Sequence, residues 1–379
     1  MKISISPDGG VDNFTGLIGT MSKSGQNISI GNNPVLPTIL QETWGWPQIH
    51  VSLEFKGEII GFFQALKVRG IWVSLPHFDH SGLWIDVTRL NNLVRSKGDS
   101  CVTDQQAYQL LLHLVGSVLS KAKIQNIHDK FVRVEVDESD LSNTNGFIPE
   151  NSAIGLTIRS EFPLLPHFNG TKVLSVLELQ NSVETQMKTF TSNVRRKIRK
   201  SYKNGVKITQ GGSELVKCFY RVYRKNIHQL GSFALPMKFF HDLMKSYNFG
   251  SSRIILASYL GNIIGAAVYL DFMGYAENAW FASLKEGNNL YVTYALHNEM
   301  IKLAIENNCI SYSFGRSTIG SSGHKYKKQW GGGDEVLYLC STSKIADSAT
   351  LYKLASPIVK ILPQGVGSIF DTPISRIIY

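Results

Sequence analysis

Five cations stand within the eight residues Asn193-Val194-Arg195-Arg196-Lys197-Ile198-Arg199-Lys200. Wound as a helix of about 3.6 residues per turn, this segment brings Asn193, Arg196, Arg199, Lys200 and Lys203 to neighbouring positions of one face. Cations fixed on a rigid face suit a pyrophosphate, and arginine adds two-pronged geometry. Without a ligand the same run is the solvated side of an amphipathic helix. A second run, Gly315-Arg316-Ser317-Thr318-Ile319-Gly320-Ser321-Ser322-Gly323-His324-Lys325-Tyr326-Lys327-Lys328-Gln329-Trp330-Gly331-Gly332, follows an apolar strand-like stretch, where α/β sheets place ligand loops. Its glycines and hydroxyl residues offer amides and hydroxyls to an anion, and Lys325, Lys327 and Lys328 supply charge. Acyl transfer to an amine passes through a tetrahedral oxyanion, which a fixed cation stabilises. In an extended segment Lys325 and Lys327 would point one way, Tyr326 and Lys328 the other. A Gly/Lys-rich turn without chemistry is the alternative.

Other candidates stand more alone. His77-Phe78-Asp79-His80 has two histidines three apart with no supporting Cys or carboxylate set, so no metal is expected. Asp79 is the better candidate there, as a hydrogen-bond acceptor for an incoming amine in a cleft between lobes. Glu277 lies on a strand, where a solvent-facing position explains it equally well; His324 has the charge properties of a base. The sequence contains no GxSxG, HExxH or P-loop pattern, which argues against serine hydrolases, zinc proteases and P-loop NTPases. Cys101, Cys218, Cys309 and Cys340 are scattered, so neither zinc nor a disulfide framework is expected, and a reducing compartment is.

The elements that must carry these residues repeat. Phe55-Lys56-Gly57-Glu58-Ile59-Ile60-Gly61 and Tyr259-Leu260-Gly261-Asn262-Ile263-Ile264-Gly265 each read as a strand, a Gly-centred turn and a second strand, with Gly61 and Gly265 offset by 204 residues. Around the first hairpin lie a helix (34–44), a strand ending at Glu54, a strand 71–75, a helix with Ala107, Leu110, Leu111, Leu114 and Val118 on one face, and an alternating strand 131–136. After the second come a strand 275–282, a helix carrying Val292, Leu296, Met300 and Leu303, and a strand 310–314. This order, met twice, implies duplication of one α/β unit, each a mixed β-sheet flanked by helices. In front of the second hairpin, Val183, Met187, Phe190, Val194, Ile198 and Tyr202 predict one helix from Ser182 to Asn204-Gly205. Strand 206–209 and helices 214–229 and 236–247 follow, with Pro236 in a first turn. Glu161 to Gly170 reads as a linker. The expected domains are 1–165, 166–345, and a C-terminal helix and tail, 346–379.

A net charge of +10 and a pI near 9.3 favour anionic partners: nucleotide phosphates, CoA, tRNA or an acidic lipid surface. The apolar stretch 254–272 is about long enough to span a bilayer. Its central Gly261-Asn262 and its β-branched and aromatic halves read instead as two buried strands. Stable membrane insertion is therefore not expected, and residues 1–10 lack the apolar core of a signal peptide. A cytoplasmic protein that visits the inner membrane surface through its basic face is the corresponding expectation.

Taken together, Asn193-x-x-Arg196-x-x-Arg199, Tyr294-Ala295-Leu296, Phe314-Gly315-Arg316-Ser317 and Tyr326-Lys327-x-Gln329-Trp330-Gly331 resemble the Fem-like (FemAB-type) branch of the GNAT acyltransferase superfamily. Within it the chain is most similar to proteins found with bacterial extracellular polysaccharide systems, over roughly 34–339. The resemblance implies tandem GNAT units and transfer of an acyl or aminoacyl group to an amine, or hydroxyl, of a cell-envelope polysaccharide or peptidoglycan precursor. It places the lysine of the pair Tyr326-Lys327 near the reacting carbonyl and phosphates; Lys327 and Tyr326, with Asp79 from the reading of its own loop, are the catalytic candidates. Asn193, Arg196, Arg199, Arg316, Ser317 and Lys325 are the corresponding substrate- and phosphate-binding candidates. Two departures bear on the donor. The usual Gly-rich pyrophosphate turn is reduced to Leu284-Lys285-Glu286-Gly287-Asn288-Asn289-Leu290, which argues against acyl-CoA. The long helical arm of many tRNA-using relatives is missing, which argues against aminoacyl-tRNA. Both donors, an acyl thioester and aminoacyl-tRNA, stay open. So does a non-catalytic, degenerate GNAT protein that binds a nucleotide-sugar or RNA.

Overall fold

The computed structural model describes residues 2–6, 18, 19, 21, 28–55, 58–79, 82–95, 127–133, 172–341, 371 and 373–376. The chain divides into two compact units. The first comprises Met1–Gln41, Gly45–Val173 and Glu335–Lys344; the second comprises Glu42–Trp44, Leu174–Asp334 and Ile345–Tyr379. The division therefore falls at 173/174 rather than 165/166, and the first unit also takes a segment from near the C-terminus. Continuity along the chain misleads here, because strand pairing rather than sequence order assembles a sheet.

The first unit contains β1 (Lys2–Ser6), α1 (Leu36–Trp44), β2 (Gln48–Phe55), β3 (Glu58–Val68), β4 (Ile71–Ser74), β5 (Gly82–Ile85), α2 (Val87–Arg95) and β6 (Ile127–Arg133). Its strands run in the order β1-β2-β3-β4-β6, with β5 also on β3. β4 and β6 are parallel; β1, β2, β3 and β4 pair antiparallel. The last strand begins at Ile127 rather than at 131, and the expected helix 107–118, linker 161–170 and strand residues 134–136 lie outside the described residues.

The second unit contains β7 (Lys172–Glu178), α3 (Val183–Thr189), α4 (Ser192–Lys203), β8 (Lys207–Gly211), α5 (Val216–Gln229), α6 (Met237–Ser246), β9 (Ser252–Tyr259), β10 (Asn262–Phe272), β11 (Tyr275–Ser283), α7 (Val292–Glu306), β12 (Ser311–Thr318) and α8 (Ser322–Lys328). Strand order is β7-β12-β11-β10-β9-β8. β13 (Gly333–Ser341) follows and pairs antiparallel with β6 of the first unit. One sheet face buries Ile255, Ala257, Ala267 and Tyr269 against Val194, Ile198, Leu296 and Met300 of α4 and α7. On the other, Trp280 packs on Phe239 and Phe240 of α6, with ring centroids 5.1 and 5.5 Å away. Each such large apolar side chain contributes about 1.5–3 kcal/mol when fully buried, so the two helical layers hold the sheet between them.

The single helix expected over 182–204 is two. Ser182 caps α3 by accepting from the Thr185 N–H, but Phe190 turns extended (φ −69°, ψ 146°) and Thr191 caps α4 through the Val194 N–H. Arg195 stabilises the break, donating to the carbonyls of Phe190 (2.8 Å) and Lys188 (3.2 Å). Pro236 is the residue before α6 rather than one inside its first turn. The stretch 254–272 is the hairpin β9–β10, closed by the two-residue turn Leu260-Gly261 at φ 49° and 79°. That is a type I′ geometry, matched to the strand twist. No helix among the described residues is long and apolar enough to cross a membrane.

Candidate functional site

The run 322–328 is not extended. Ser321 accepts from the His324 N–H at 3.2 Å and opens the helix α8, so the lysines project at helical rather than alternating angles. Tyr326 turns inward, with ring centroids 5.1 Å from Tyr294 and 5.8 Å from His297. Lys327 turns the other way: its Nζ donates to the carbonyls of Gly315 (2.7 Å) and Arg316 (3.0 Å) at the end of β12. Gly315 takes φ 76°, which an L side chain rarely adopts, and this bends the strand. Lys325 is exposed, and Lys328 donates to the Gly332 carbonyl (2.9 Å) and pairs with Asp334 (3.3 Å). Of the three lysines, Lys327 is the one fixed against the strand end.

That strand end is where the ladder between two neighbours stops. β11 and β12 pair over Tyr275↔Ser311, Ala276↔Tyr312 and Glu277↔Ser313 only, although β11 runs to Ser283 and β12 to Thr318. Beyond Glu277 the strand bulges: Tyr269 of β10 faces Asn278, Val268 faces Trp280, and Ala279 is the extra residue. Strand edges released from pairing present free N–H and C=O groups to a ligand. Asn278 stands at this point, 8% exposed, with its Oδ1 lacking any hydrogen-bond partner. Glu277, for which the sequence allowed a solvent-facing position, is 2% exposed and pairs with Leu270 of β10 and Ser313 of β12.

Below the gap, His297 of α7 stacks on Phe281 of β11 (4.8 Å, 8° between planes) and lies 4.9 Å from Phe314 of β12. Its Nδ1 hydrogen-bonds the Tyr312 hydroxyl at 2.8 Å. Burial, and then the charge of Lys327, push the imidazole well below the ordinary histidine range. Burial likewise pushes the phenols of Tyr312 and Tyr326 well above theirs. With these three groups uncharged at neutral pH, the charges acting on the cluster are those of Lys327, felt by His297, and of Glu277, felt by Tyr312.

The face of α4 meets this cluster through a residue that sequence reasoning passed over. Arg196 donates to Asn193 Oδ1 at 3.0 Å and both are exposed, as is Arg199 further round the helix. Lys197 instead reaches inward: its Nζ donates to the Tyr294 hydroxyl (2.8 Å) and to Gln329 Oε1 (3.4 Å). Nothing in the local spacing separates it from the other cations of the run, because both partners are distant in sequence. Arg316 is exposed and Ser317 half-buried at the end of β12. Asp79 lies half-buried in the first unit, in the loop between β4 and β5, and His80 is outside the described residues. His324, whose Nδ1 accepts from the Gly320 N–H, pairs through Nε2 with Asp334 at 2.9 Å. Among the described residues no group of three or more His, Cys, Asp or Glu is placed to hold a metal ion.

Residues 167–260 match the model of the FemAB family. Over 189 residues the chain is 25% identical to the UDP-N-acetylmuramoylpentapeptide-lysine N(6)-alanyltransferase of Weissella viridescens, an alignment covering 48% of this chain and 54% of that enzyme. The chain thus spans about half the length of this curated relative. Among solved structures, FemX superposes with a TM-score of 0.61 at 14% identity, covering 94% of this chain and all of that one (100%). A tandem GNAT protein of the clavulanic acid biosynthesis pathway superposes at 0.50 with 7% identity, covering 91% and 100%. The fold is a tandem duplicated GNAT fold of mixed α/β units, and most of the residues that match the FemAB model lie in its second unit.

Proposed function

We propose that this protein is a Fem-like GNAT acyltransferase that moves an acyl or aminoacyl group onto an amine of a cell-envelope precursor. The observation that carries the reading is the Lys327 ammonium, fixed at the end of β12 just where β12 ceases to pair with β11. An acyl carbonyl seated in that gap meets free strand-edge donors and the cation together. Attack by the amine forms the new C–N bond and places negative charge on the carbonyl oxygen. Collapse breaks the bond to the leaving oxygen or sulfur, which departs with the proton that the amine gives up. Lys327 stabilises the intermediate, Tyr326 holds α8 against α7, and Arg316, Ser317 and Lys325 lie on the approach for substrate.

The alanyltransferase relative supports an aminoacyl donor, hence aminoacyl-tRNA over an acyl thioester. It also supports a peptidoglycan-type peptide amine over a polysaccharide as acceptor, met in the cytoplasm. Lys327→Ala is expected to lower kcat about 100- to 1,000-fold, the usual cost of one oxyanion-stabilising group, with circular dichroism and Tm retained. Wild-type turnover in that variant, or no product from wild type across aminoacyl-tRNA and acyl-CoA donors, would sink the reading.

A further inference from the structure

We infer that Lys197, Tyr294 and Gln329 form a seat for a phosphate group of the ligand, beside Lys327. The inference rests on the proposed transferase for a phosphate-bearing ligand and goes beyond it in naming the residues that grip one. Lys197 is half-buried, and its partners are neutral: the Tyr294 hydroxyl at 2.8 Å, Gln329 Oε1 at 3.4 Å and the Tyr294 ring, 4.7 Å from Nζ to the centroid. Tyr294 donates its own proton to Gln329 Oε1 at 3.0 Å, so its lone pair is turned toward Lys197. The triad is closed on itself, and it contains no carboxylate.

α4 contains no acidic residue at all. The acids near its neighbours are engaged elsewhere: Glu299 accepts from Tyr202, Gln210 and Lys302, and Glu286 pairs with Lys225. A partly desolvated cation without a counter-charge is costly unless an anion completes it. An ammonium has three N–H donors, of which the triad uses two, and the Gln329 amide adds two more. Two further features point the same way. Lys200, one turn on, lies 5.3 Å from the Tyr291 ring, and Tyr291 precedes α7, whose N-terminal dipole end favours an anion. Gln329 stands two residues beyond Lys327, so one short segment carries both a member of the triad and the proposed oxyanion-stabilising cation. The seat stands where this fold's Gly-rich turn is reduced, and side chains supply what backbone amides would.

A phosphate here comes from either the RNA of an aminoacyl donor or the diphosphate of a nucleotide-linked acceptor. Binding of a fluorescent CCA-ended RNA hairpin and of UDP to the full chain, across a salt series, separates the two. Lys197→Met is expected to weaken one probe about tenfold. It also flattens that probe's plot of log K against log salt by roughly 0.7–0.9, the slope carried by one phosphate contact. Loss for RNA alone assigns the seat to the donor, and loss for UDP alone to the acceptor. Gln329→Glu, nearly isosteric, is expected to reproduce the loss by setting a carboxylate against Lys197, and it serves should Lys197→Met fail to fold. Lys197→Arg should retain binding. Unchanged affinity and salt slope for both probes in Lys197→Met and Gln329→Glu, or no binding of either probe by wild type, would overturn the seat. Because binding is read without turnover, Lys327→Ala separates the two ideas: it should leave the seat intact while transfer fails.

Discussion

The β2–β3 and β9–β10 hairpins match pair for pair. Leu53↔Gly61 and Ala257↔Gly265, Ser52↔Phe62 and Leu256↔Ala266, His50↔Gln64 and Ile254↔Val268 stand at the same positions, 204 residues apart. Both hairpins skip one residue, Ile60 in one and Ile264 in the other. Both continue through a turn of two positive-φ residues, Arg69-Gly70 (51° and 84°) and Met273-Gly274 (49° and 88°). They part at the third strand. In the second unit β11 absorbs one extra residue, Ala279, and stays a single strand; in the first, β4 ends at Ser74 and the sheet resumes at Gly82 as β5 on β3. Ser74 and Asn278 occupy the same place. Ser74 donates to the Gln64 carbonyl (3.0 Å) and accepts from the Gly82 N–H (2.7 Å), closing the excursion. The Asn278 amide oxygen closes nothing. Duplication preserved what the pleat and bulge require, while the polar side chain at the departure point became structural in one unit and open in the other.

The largest expected effect lies in the cross-strand pair. His50 and Gln64 are buried polar residues where the second unit has Ile254 and Val268. Burial holds the His50 pKa down at about 4, against an ordinary 6.5. A depressed histidine pKa leaves the folded state with fewer bound protons than the unfolded chain. Stability of the first unit is therefore complete above about pH 6.5 and is lost as pH falls toward 4. The loss is about 3 kcal/mol at the low end, since each tenfold change in proton affinity is worth about 1.4 kcal/mol. His50→Ile should flatten this slope, read by hydrogen exchange of β2 and β3 amides between pH 7 and 4.5; an unchanged slope would break the comparison. Next in size, Ser74→Ala strands the Gly82 N–H and should cost about 2 kcal/mol in denaturant unfolding. Asn278→Ala removes an atom that satisfies nothing and should cost close to zero while slowing transfer. Equal losses at both positions would show that they are not opposites. The smallest effect is a gain. Leu260 is 81% exposed at φ 49°, and asparagine tolerates that conformation better, so Leu260→Asn should raise stability by about 0.5–1 kcal/mol.

Much of this is written locally in the chain. The paired Ile-Ile-Gly hairpins, the helix 292–306 and the caps Ser182 and Asn204-Gly205 follow from spacing and turn chemistry, because those signals act within a few residues. The break at Phe190 is also local, since Thr191 can accept from the Val194 N–H, but a continuous apolar spacing conceals it. α8 is hidden for a related reason: Gly323 and the lysines suggest a turn, and the cap at Ser321 outweighs them. β7 and β13 are both apolar alternating runs, yet only long-range pairing gives them a place. The inward turn of Lys197 depends on Tyr294 and Gln329, 97 and 132 residues away in sequence. No local pattern selects it from among its charged neighbours.

The return of the chain to the first unit at β13 has a consequence for synthesis. β6 waits for its second neighbour until residues 335–341 emerge, after most of the second unit has been made. At about 5–20 residues per second, translation of that interval takes roughly ten to forty seconds. For that time the nascent first unit carries an open strand edge on the ribosome, a template for wrong pairing. The second unit has its six strands in hand by Asp334 and then awaits Asp371, which is buried against His228 and the Ala234 N–H. A protein that reads as two units in a row is thus closed from its C-terminal segments, and a truncation before residue 335 leaves the earlier unit without its last strand and the later one without the Asp371 contact to His228.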